Sequence, residues 1–85
     1  MSTDPIRLKR LKIRSWRRGT REMDLLLGAF FDAKGSELGA EELDLYEEML
    51  AENDHDLYAW VAEKTPVPER FAALIARVRE SRDRV

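Results

Sequence analysis

Two stretches of this sequence repeat apolar residues at the spacing of a single α-helical face, and this pattern constrains the fold more than any other feature. Both follow the i, i+3, i+4, i+7 pattern. The members are Met23, Leu26, Leu27 and Phe30 in the first stretch, and Phe71, Leu74, Ile75 and Val78 in the second. The sequence lacks runs that alternate with period two and lacks Asn-Gly or Asp-Gly hairpin signals. The pattern therefore predicts an all-α chain.

Capping residues, glycines and prolines divide the chain into five predicted helices. Asp4 and Pro5 start the first helix, Gly19 stops it, and Thr20 caps the second. Asp54 is the expected N-cap of the fourth helix, and Thr65 ends that helix because a residue before proline is disfavoured in the α region. The predicted helices cover approximately 5–18, 21–34, 40–52, 54–64 and 68–81. At 85 residues, we expect one helical domain over 1–85, a small five-helix bundle.

Composition excludes most enzyme classes that are readable from sequence. Cysteine is absent and His55 is the single histidine, so we expect neither thiol chemistry nor a zinc site. His55, between Asp54 and Asp56, is interpreted as an exposed first-turn residue rather than an oriented base. We predict no catalytic residue, no metal site and no membrane insertion, and a cytoplasmic location.

Charge is distributed unevenly along the chain. Residues 1–21 hold eight Lys or Arg against the single acid Asp4, whereas residues 22–56 hold twelve Asp or Glu against the single base Lys34. The basic first helix leaves, as the alternative function, a small helical module that uses this helix to bind nucleic acid or another protein. Binding to nucleic acid requires Arg7, Lys9, Lys12 and Arg14 to face phosphates, and the acidic middle of the chain argues against it.

The segment between the first two helices carries a recognisable motif. Arg18-Gly19-x-x-Glu22 resembles the RGxxE signature of the succinate dehydrogenase assembly factors, also called FAD assembly or flavinylation factors. Further along, Asp54-x-Asp56-Leu57-x-x-Trp60 resembles the second signature of that family, and the resemblance covers roughly residues 6 to 80.

The resemblance implies a five-helix assembly chaperone rather than an enzyme. Such a protein binds the flavoprotein subunit of succinate dehydrogenase and promotes covalent attachment of FAD to a histidine of that partner. The flavoprotein of fumarate reductase is a further expected client. We also expect the chain to hold no FAD of its own stably, because the sequence signals neither a phosphate-cradling loop nor a deep pocket. We expect it to bind no nucleic acid and to act as a monomer.

The motif also implies where the partner binds. The family pattern assigns the contact surface to Arg18, Gly19 and Glu22, with Arg17 and Arg21 as rim contacts. The residues alone leave a structural reading open, in which Gly19 is a helix stop and Glu22 a first-turn partner of the helix dipole.

For Asp54, Asp56, Trp60 and Trp16, a role in folding is compared with a role in partner contact. Asp54, Asp56 and Trp60 are assigned mainly to folding, as a cap, a first-turn acid and a core aromatic. Trp16 lies on a helix without one clean apolar stripe. An interface anchor and a core residue remain equally open for it.

Overall fold

The computed structural model describes residues 4–83, and within them the chain forms five α-helices and two short 3₁₀ turns. The helices are α1 (Pro5–Trp16), α2 (Arg21–Lys34), α3 (Ala40–Leu50), α4 (Asp54–Val61) and α5 (Ala72–Asp83). The 3₁₀ turns, Gly35–Glu37 and Glu69–Phe71, precede α3 and α5. The described residues contain no strand, and the predicted all-α bundle is confirmed.

Side-chain caps start three of the helices. Asp4 accepts a hydrogen bond from the amide of Ile6 at 3.0 Å, and Thr20 accepts one from Met23 at 3.2 Å. Asn53 does the same for α4, accepting from the amide of Asp56 at 2.8 Å. The N-cap of α4 is therefore Asn53, and the interpretation of Asp54 as the cap is wrong. Asp54 is the first helical residue, and its carboxylate accepts a hydrogen bond from Arg18.

Several helix ends differ from the predicted ones. The first helix ends at Trp16, two residues before the predicted end, because the chain leaves helical geometry at Arg17 (φ −120°, ψ 56°). The fourth helix ends at Val61, and Glu63 just beyond it adopts a positive φ of 62°. Pro68 starts a 3₁₀ turn rather than an α-helix. Thr65 therefore lies in a connection and not at the end of α4.

Aromatic and aliphatic side chains from every helix form the core. Phe31 stacks on Tyr46 with ring centroids 5.2 Å apart, and Trp60 lies against Phe71 at 5.8 Å. Residues from both predicted stripes are buried among them. Within residues 4–83, no helix is long and apolar enough to cross a bilayer.

Distant arginines satisfy the carbonyl ends of two helices. Neither α3 nor α4 has a basic residue in its last turn, where one would favourably meet the helix dipole. Arg79 and Arg82 of α5 donate to the carbonyl of Val61 at 3.3 and 3.1 Å. Arg18 donates to the carbonyl of Leu50 in the same way, which connects the segment between α1 and α2 to the end of α3.

Candidate partner-binding site

The predicted motif occupies the loop between α1 and α2. Gly19 has a φ of +100°, a left-handed backbone conformation that side chains disfavour, so glycine is required there for its backbone freedom. The amide of Arg18 donates to the carboxylate of Asp24 at 2.6 Å, and Thr20 caps α2 directly after the glycine. The turn is thus held against the first turn of α2.

The side chain of Arg18 points into the protein. Its Nε donates to Oδ1 of Asp54 at 2.8 Å, and its two terminal nitrogens donate to the carbonyls of Leu50 at 2.7 Å and Glu52 at 2.9 Å. Only 11% of the side chain is exposed. These carbonyls lie at the end of α3, where helical carbonyls lack intrahelical partners. We call Arg18, Asp54 and these two carbonyls the joint.

The other predicted contact residues lie on the outside of the same loop. Arg17, Gly19, Arg21 and Glu22 are exposed, and Trp16 is half-buried. We call these five residues the loop face. A shallow pocket of about 540 Å³ is lined by all of them except Glu22, together with Thr20, Asp24 and Leu25. The structure therefore brings five of the six predicted residues together and turns the sixth, Arg18, inward.

Trp16 has one packed side and one accessible side. Its ring lies on Gly28 of α2, where an added Cβ would come within 2.3 Å of a ring atom. Its indole nitrogen lies 3.3 Å from Oδ2 of Asp32, to which it donates a hydrogen bond. Both sequence interpretations of Trp16 have support in this geometry, because the ring is anchored against a helix and still reaches the surface.

A groove beside the loop face was missed by the sequence reasoning. It has a volume of about 480 Å³, and it is lined by Glu22, by Ser81 and Arg82 of α5, and by apolar residues of α2 and α4. Those apolar residues are Leu25, Leu26, Ala29, Tyr58, Val61 and the α4 C-cap residue Ala62. Leu25 is 49% exposed and Tyr58 37% exposed, and the two side chains line the same groove, so the exposed apolar surface is a patch rather than a single residue. We call this the apolar groove. It meets the loop pocket at Leu25.

One signal in the sequence pointed to this groove. Leu25 lies in the apolar run Leu25 to Leu27 but outside the buried stripe, so α2 carries more apolar residues than one face can bury. The contribution of Tyr58 could not be anticipated, because it depends on how α2 and α4 pack against α5.

The basic residues of α1 are largely engaged with acids of the neighbouring helices. Arg7 contacts Asp44 at 2.6 Å and Glu47 at 3.1 Å, and Arg14 contacts Glu47 at 3.4 Å. On the side of α2, Lys12 lies 3.7 Å from Asp32. We call these six side chains the paired face. Three of the four cations required by the nucleic-acid alternative are therefore paired within the fold, and that alternative is not favoured.

Beneath the paired face lies a buried polar pair. Ser15 is fully buried, and its hydroxyl donates to the carbonyl of Leu11 at 2.8 Å. The hydroxyl of Tyr46 lies 2.6 Å from Ser15 Oγ. Since Ser15 has one proton and donates it to Leu11, the Tyr46 hydroxyl is the donor in this bond. Burial raises the pKa of Tyr46 to about 12.

Besides Tyr46, Arg7 of the paired face also has a shifted pKa. Its hydrogen bond to Asp44 raises the pKa of Arg7 above its ordinary value. His55, the single imidazole, is exposed at the start of α4. Within residues 4–83, no group of three or more His, Cys, Asp or Glu side chains is placed to hold a metal ion.

Comparisons with known proteins converge on one family. A family model described as "Flavinator of succinate dehydrogenase" matches residues 9–82. The chain is 40% identical over 80 residues to the FAD assembly factor SdhE of Acetobacter pasteurianus, covering 92% of this chain and 73% of that protein.

Mitochondrial proteins also match. The chain is 32% identical over 83 residues to the mitochondrial succinate dehydrogenase assembly factor 2 of Komagataella phaffii, covering 92% of this chain and 44% of that protein. For the protein of the same name from Candida glabrata, the identity is 43% over 65 residues, covering 73% of this chain and 42% of that protein. The chain thus spans less than half the length of these two mitochondrial relatives. No solved structure gives a significant match.

Proposed function

The chain belongs to the family described as the flavinator of succinate dehydrogenase, and from this membership we propose that it is an assembly factor for the flavoprotein subunit of that enzyme. It binds this subunit and promotes the covalent attachment of FAD to it. The observation that carries the proposal is the family match over residues 9–82, which includes the whole motif and the helices that hold it.

The surface around the motif supports a protein partner. The loop face and the apolar groove meet at Leu25 and form one continuous region. It combines Trp16, Arg17, Arg21 and Tyr58, residue types that are enriched at the energetic centres of protein interfaces. The flavoprotein subunit therefore docks on this region, with Glu22 between the polar and the apolar part.

The proposed mechanism requires no catalytic residue in this chain. Binding stabilises one conformation of the flavoprotein, and a partner that prefers one conformation shifts the population toward it. In that conformation the flavin and its acceptor histidine lie in near-attack geometry, which lowers a barrier by several kcal/mol. The bond forms within the flavoprotein, and FAD is bound there rather than by this chain. The flavoprotein of fumarate reductase is a second client by the same logic.

The test measures covalent flavin directly. The purified flavoprotein subunit is incubated with FAD and with the unmodified chain, a Glu22→Ala variant, a Glu41→Ala variant or no addition. Flavin fluorescence is then read from a denaturing gel. Glu41 is the matched control, because it is an exposed acid at the second position of α3, as Glu22 is at the second position of α2.

We expect a fluorescent band that depends on the unmodified chain. Removal of Glu22 is expected to slow its formation at least roughly tenfold, as for loss of a charged interface hydrogen bond, and removal of Glu41 is expected to leave it unchanged. Equal fluorescence in all four samples would contradict the proposed function. Equal loss in both variants would assign the effect of Glu22 to folding rather than to the interface.

A further inference from the structure

The motif divides into residues that face outward and one residue that faces inward. Glu22 and Gly19 lie on the exposed loop face, whereas Arg18 is engaged in the joint. We propose that Asp54 is a positioning residue that acts through Arg18. It fixes the loop in the shape in which the loop face binds the flavoprotein. This inference rests on the proposed function, because it names how the proposed binding surface is held.

The geometry of the joint is that of a structural tie. Arg18 is held at its main chain by Asp24 of α2 and at its side chain by the end of α3 and the start of α4. Asp54 lies 36 residues away in sequence and is half-buried beside it. Through its main chain and its side chain, Arg18 thus connects the loop to three helices, and Asp54 supplies the charge that holds the guanidinium in place.

The loop needs such a tie because its own backbone is permissive. Gly19 has no side chain to pack, and an added Cβ there would meet nothing within 4 Å. Without the joint, the turn would be held mainly by the Asp24 bond and the Thr20 cap. A loop that samples several shapes binds with reduced apparent affinity, in proportion to the fraction that is competent to bind.

A direct contact by Arg18 is the competing explanation for its place in the motif. To reach a partner, Arg18 would have to leave three hydrogen bonds, exposing Asp54 and two helix-end carbonyls as unpaired groups. Leaving such groups without their charged partner in a partly buried site raises the free energy of the protein. The joint therefore favours Arg18 as the support of the loop face and leaves the contacts to its outward neighbours.

Asp56 offers a matched control for Asp54. Both acids lie in the first turn of α4, where the helix dipole favours a negative charge. The carboxylate of Asp56 accepts from the side chain of Asn53 at 3.0 Å, and that of Asp54 accepts from Arg18. A loss seen for Asp54 but not for Asp56 therefore reports the joint and not the helix.

The experiment combines two measurements on Asp54→Ala, Asp56→Ala, Arg18→Ala and the double variant of Arg18 and Asp54. The first is the affinity for the purified flavoprotein subunit. The second is amide hydrogen exchange at Arg18, whose amide donates to Asp24, with the amides of Leu27 and Phe30 in the middle of α2 as the internal reference. A role in global stability would change the reference amides as well, whereas a positioning role changes the loop alone.

For Asp54→Ala we expect about tenfold weaker binding and about tenfold faster exchange in the loop, with the reference amides unchanged. Asp56→Ala should change the affinity and the exchange rate in the loop by less than about twofold each. The double variant should bind no more than about twofold more weakly than Asp54→Ala, because the two residues act as one unit.

Three results would overturn the inference. Asp54→Ala with unchanged affinity but a faster loop would show that loop order does not limit binding. Weakened binding with an unchanged loop would assign Asp54 another role, and a large further loss in the double variant would make Arg18 a contact. If Asp54→Ala does not fold, the isosteric Asp54→Asn variant is judged by the same criteria. Failure of the unmodified chain to bind would instead contradict the proposed function, and the inference with it.

Discussion

The paired face and the loop face are both rich in charge, yet their charges are used differently. On the paired face, Arg7 and Arg14 of α1 are joined to acids of α3, so the charges hold helices together. On the loop face, Arg17 and Arg21 are exposed and lie beside a groove whose lining is mostly apolar. The basic segment that dominates the sequence therefore serves two purposes. Arg7 and Arg14 stabilise the fold, whereas Arg17 and Arg21 are exposed and available to a partner.

Two exposed apolar residues provide the sharpest test of this comparison. Leu25 of the apolar groove is 49% exposed, and Ile13 of α1 is 46% exposed. Replacing either residue with glutamate exchanges an aliphatic side chain of similar exposure for a carboxylate, so the two variants can be compared directly. We expect Leu25→Glu to weaken flavoprotein affinity by roughly 100-fold, about 3 kcal/mol, because a carboxylate would be desolvated in an apolar contact.

Ile13→Glu is expected to change this affinity by less than about twofold, within the usual range of a surface substitution. Affinities of both variants are measured against the same flavoprotein preparation, after thermal unfolding has shown that each remains folded. Comparable losses in the two variants would mean that the partner covers α1 as well, and the two faces would no longer be functionally distinct.

The second prediction concerns the buried pair beneath the paired face. The pKa of Tyr46 is raised from 10.0 to about 12 by burial. A tyrosine with this shift retains its proton in the folded state at a pH where the unfolded chain has lost it. The contribution of Tyr46 to the free energy of unfolding is fully present below about pH 10, and it is lost as pH rises toward 12. The expected loss is about 2 to 3 kcal/mol in the free energy of unfolding.

Denaturant unfolding between pH 9 and 12 checks this prediction, with Tyr46→Phe as the control. The variant retains the ring but cannot ionise, so its stability should fall less steeply over this range. If the free energy of unfolding fell equally with pH in both proteins, groups other than Tyr46 would be responsible for the loss of stability at alkaline pH. Flavoprotein binding at neutral pH should be similar in both, because this pair is buried and contributes no surface to the loop face.

How far the sequence could anticipate these regions depends on the range of the interactions involved. The stripes of α2 and α5, the Thr20 cap and the need for glycine at position 19 are local features, and the structure agrees with each. The inward direction of Arg18 is not local. Its acceptors lie 32 to 36 residues away, and the sequence does not indicate which distant side chain will donate to the carbonyls at the end of α3.

The same reason explains the groove and the cap of α4. Leu25 was visible as an apolar residue outside the stripe, but its groove depends on how α2, α4 and α5 pack together. Asn53 and Asp54 are both good capping residues, and local preference alone does not separate them. The structure separates them by backbone geometry, because Asn53 is extended (φ −75°, ψ 155°) as an N-cap residue is, whereas Asp54 is already helical and its carboxylate accepts from Arg18.

The smallest effect is predicted for Arg7 on the paired face. Its guanidinium contacts Asp44 and Glu47, but it remains partly exposed, and exposed ion pairs are weakened by solvent and salt. We expect Arg7→Ala to lower the melting temperature slightly at low ionic strength and to match the unmodified chain at about 1 M salt, where screening extends over only about 3 Å. Arg10→Ala, which removes an exposed cation of the same helix, is the control and should change little at either salt concentration.

Flavoprotein affinity separates the roles of the two faces in these same variants. Loss of Arg7 removes one of the ties between α1 and α3, but the joint and the loop beyond Trp16 are held by other residues. The affinity should therefore be unchanged, although stability is not. If Arg7→Ala weakened binding as strongly as Leu25→Glu, the charges of α1 would have to reach the partner, either directly or through the orientation of the helix that leads into the loop. Stability and binding would then depend on the same cations, and the paired face would be part of the binding surface.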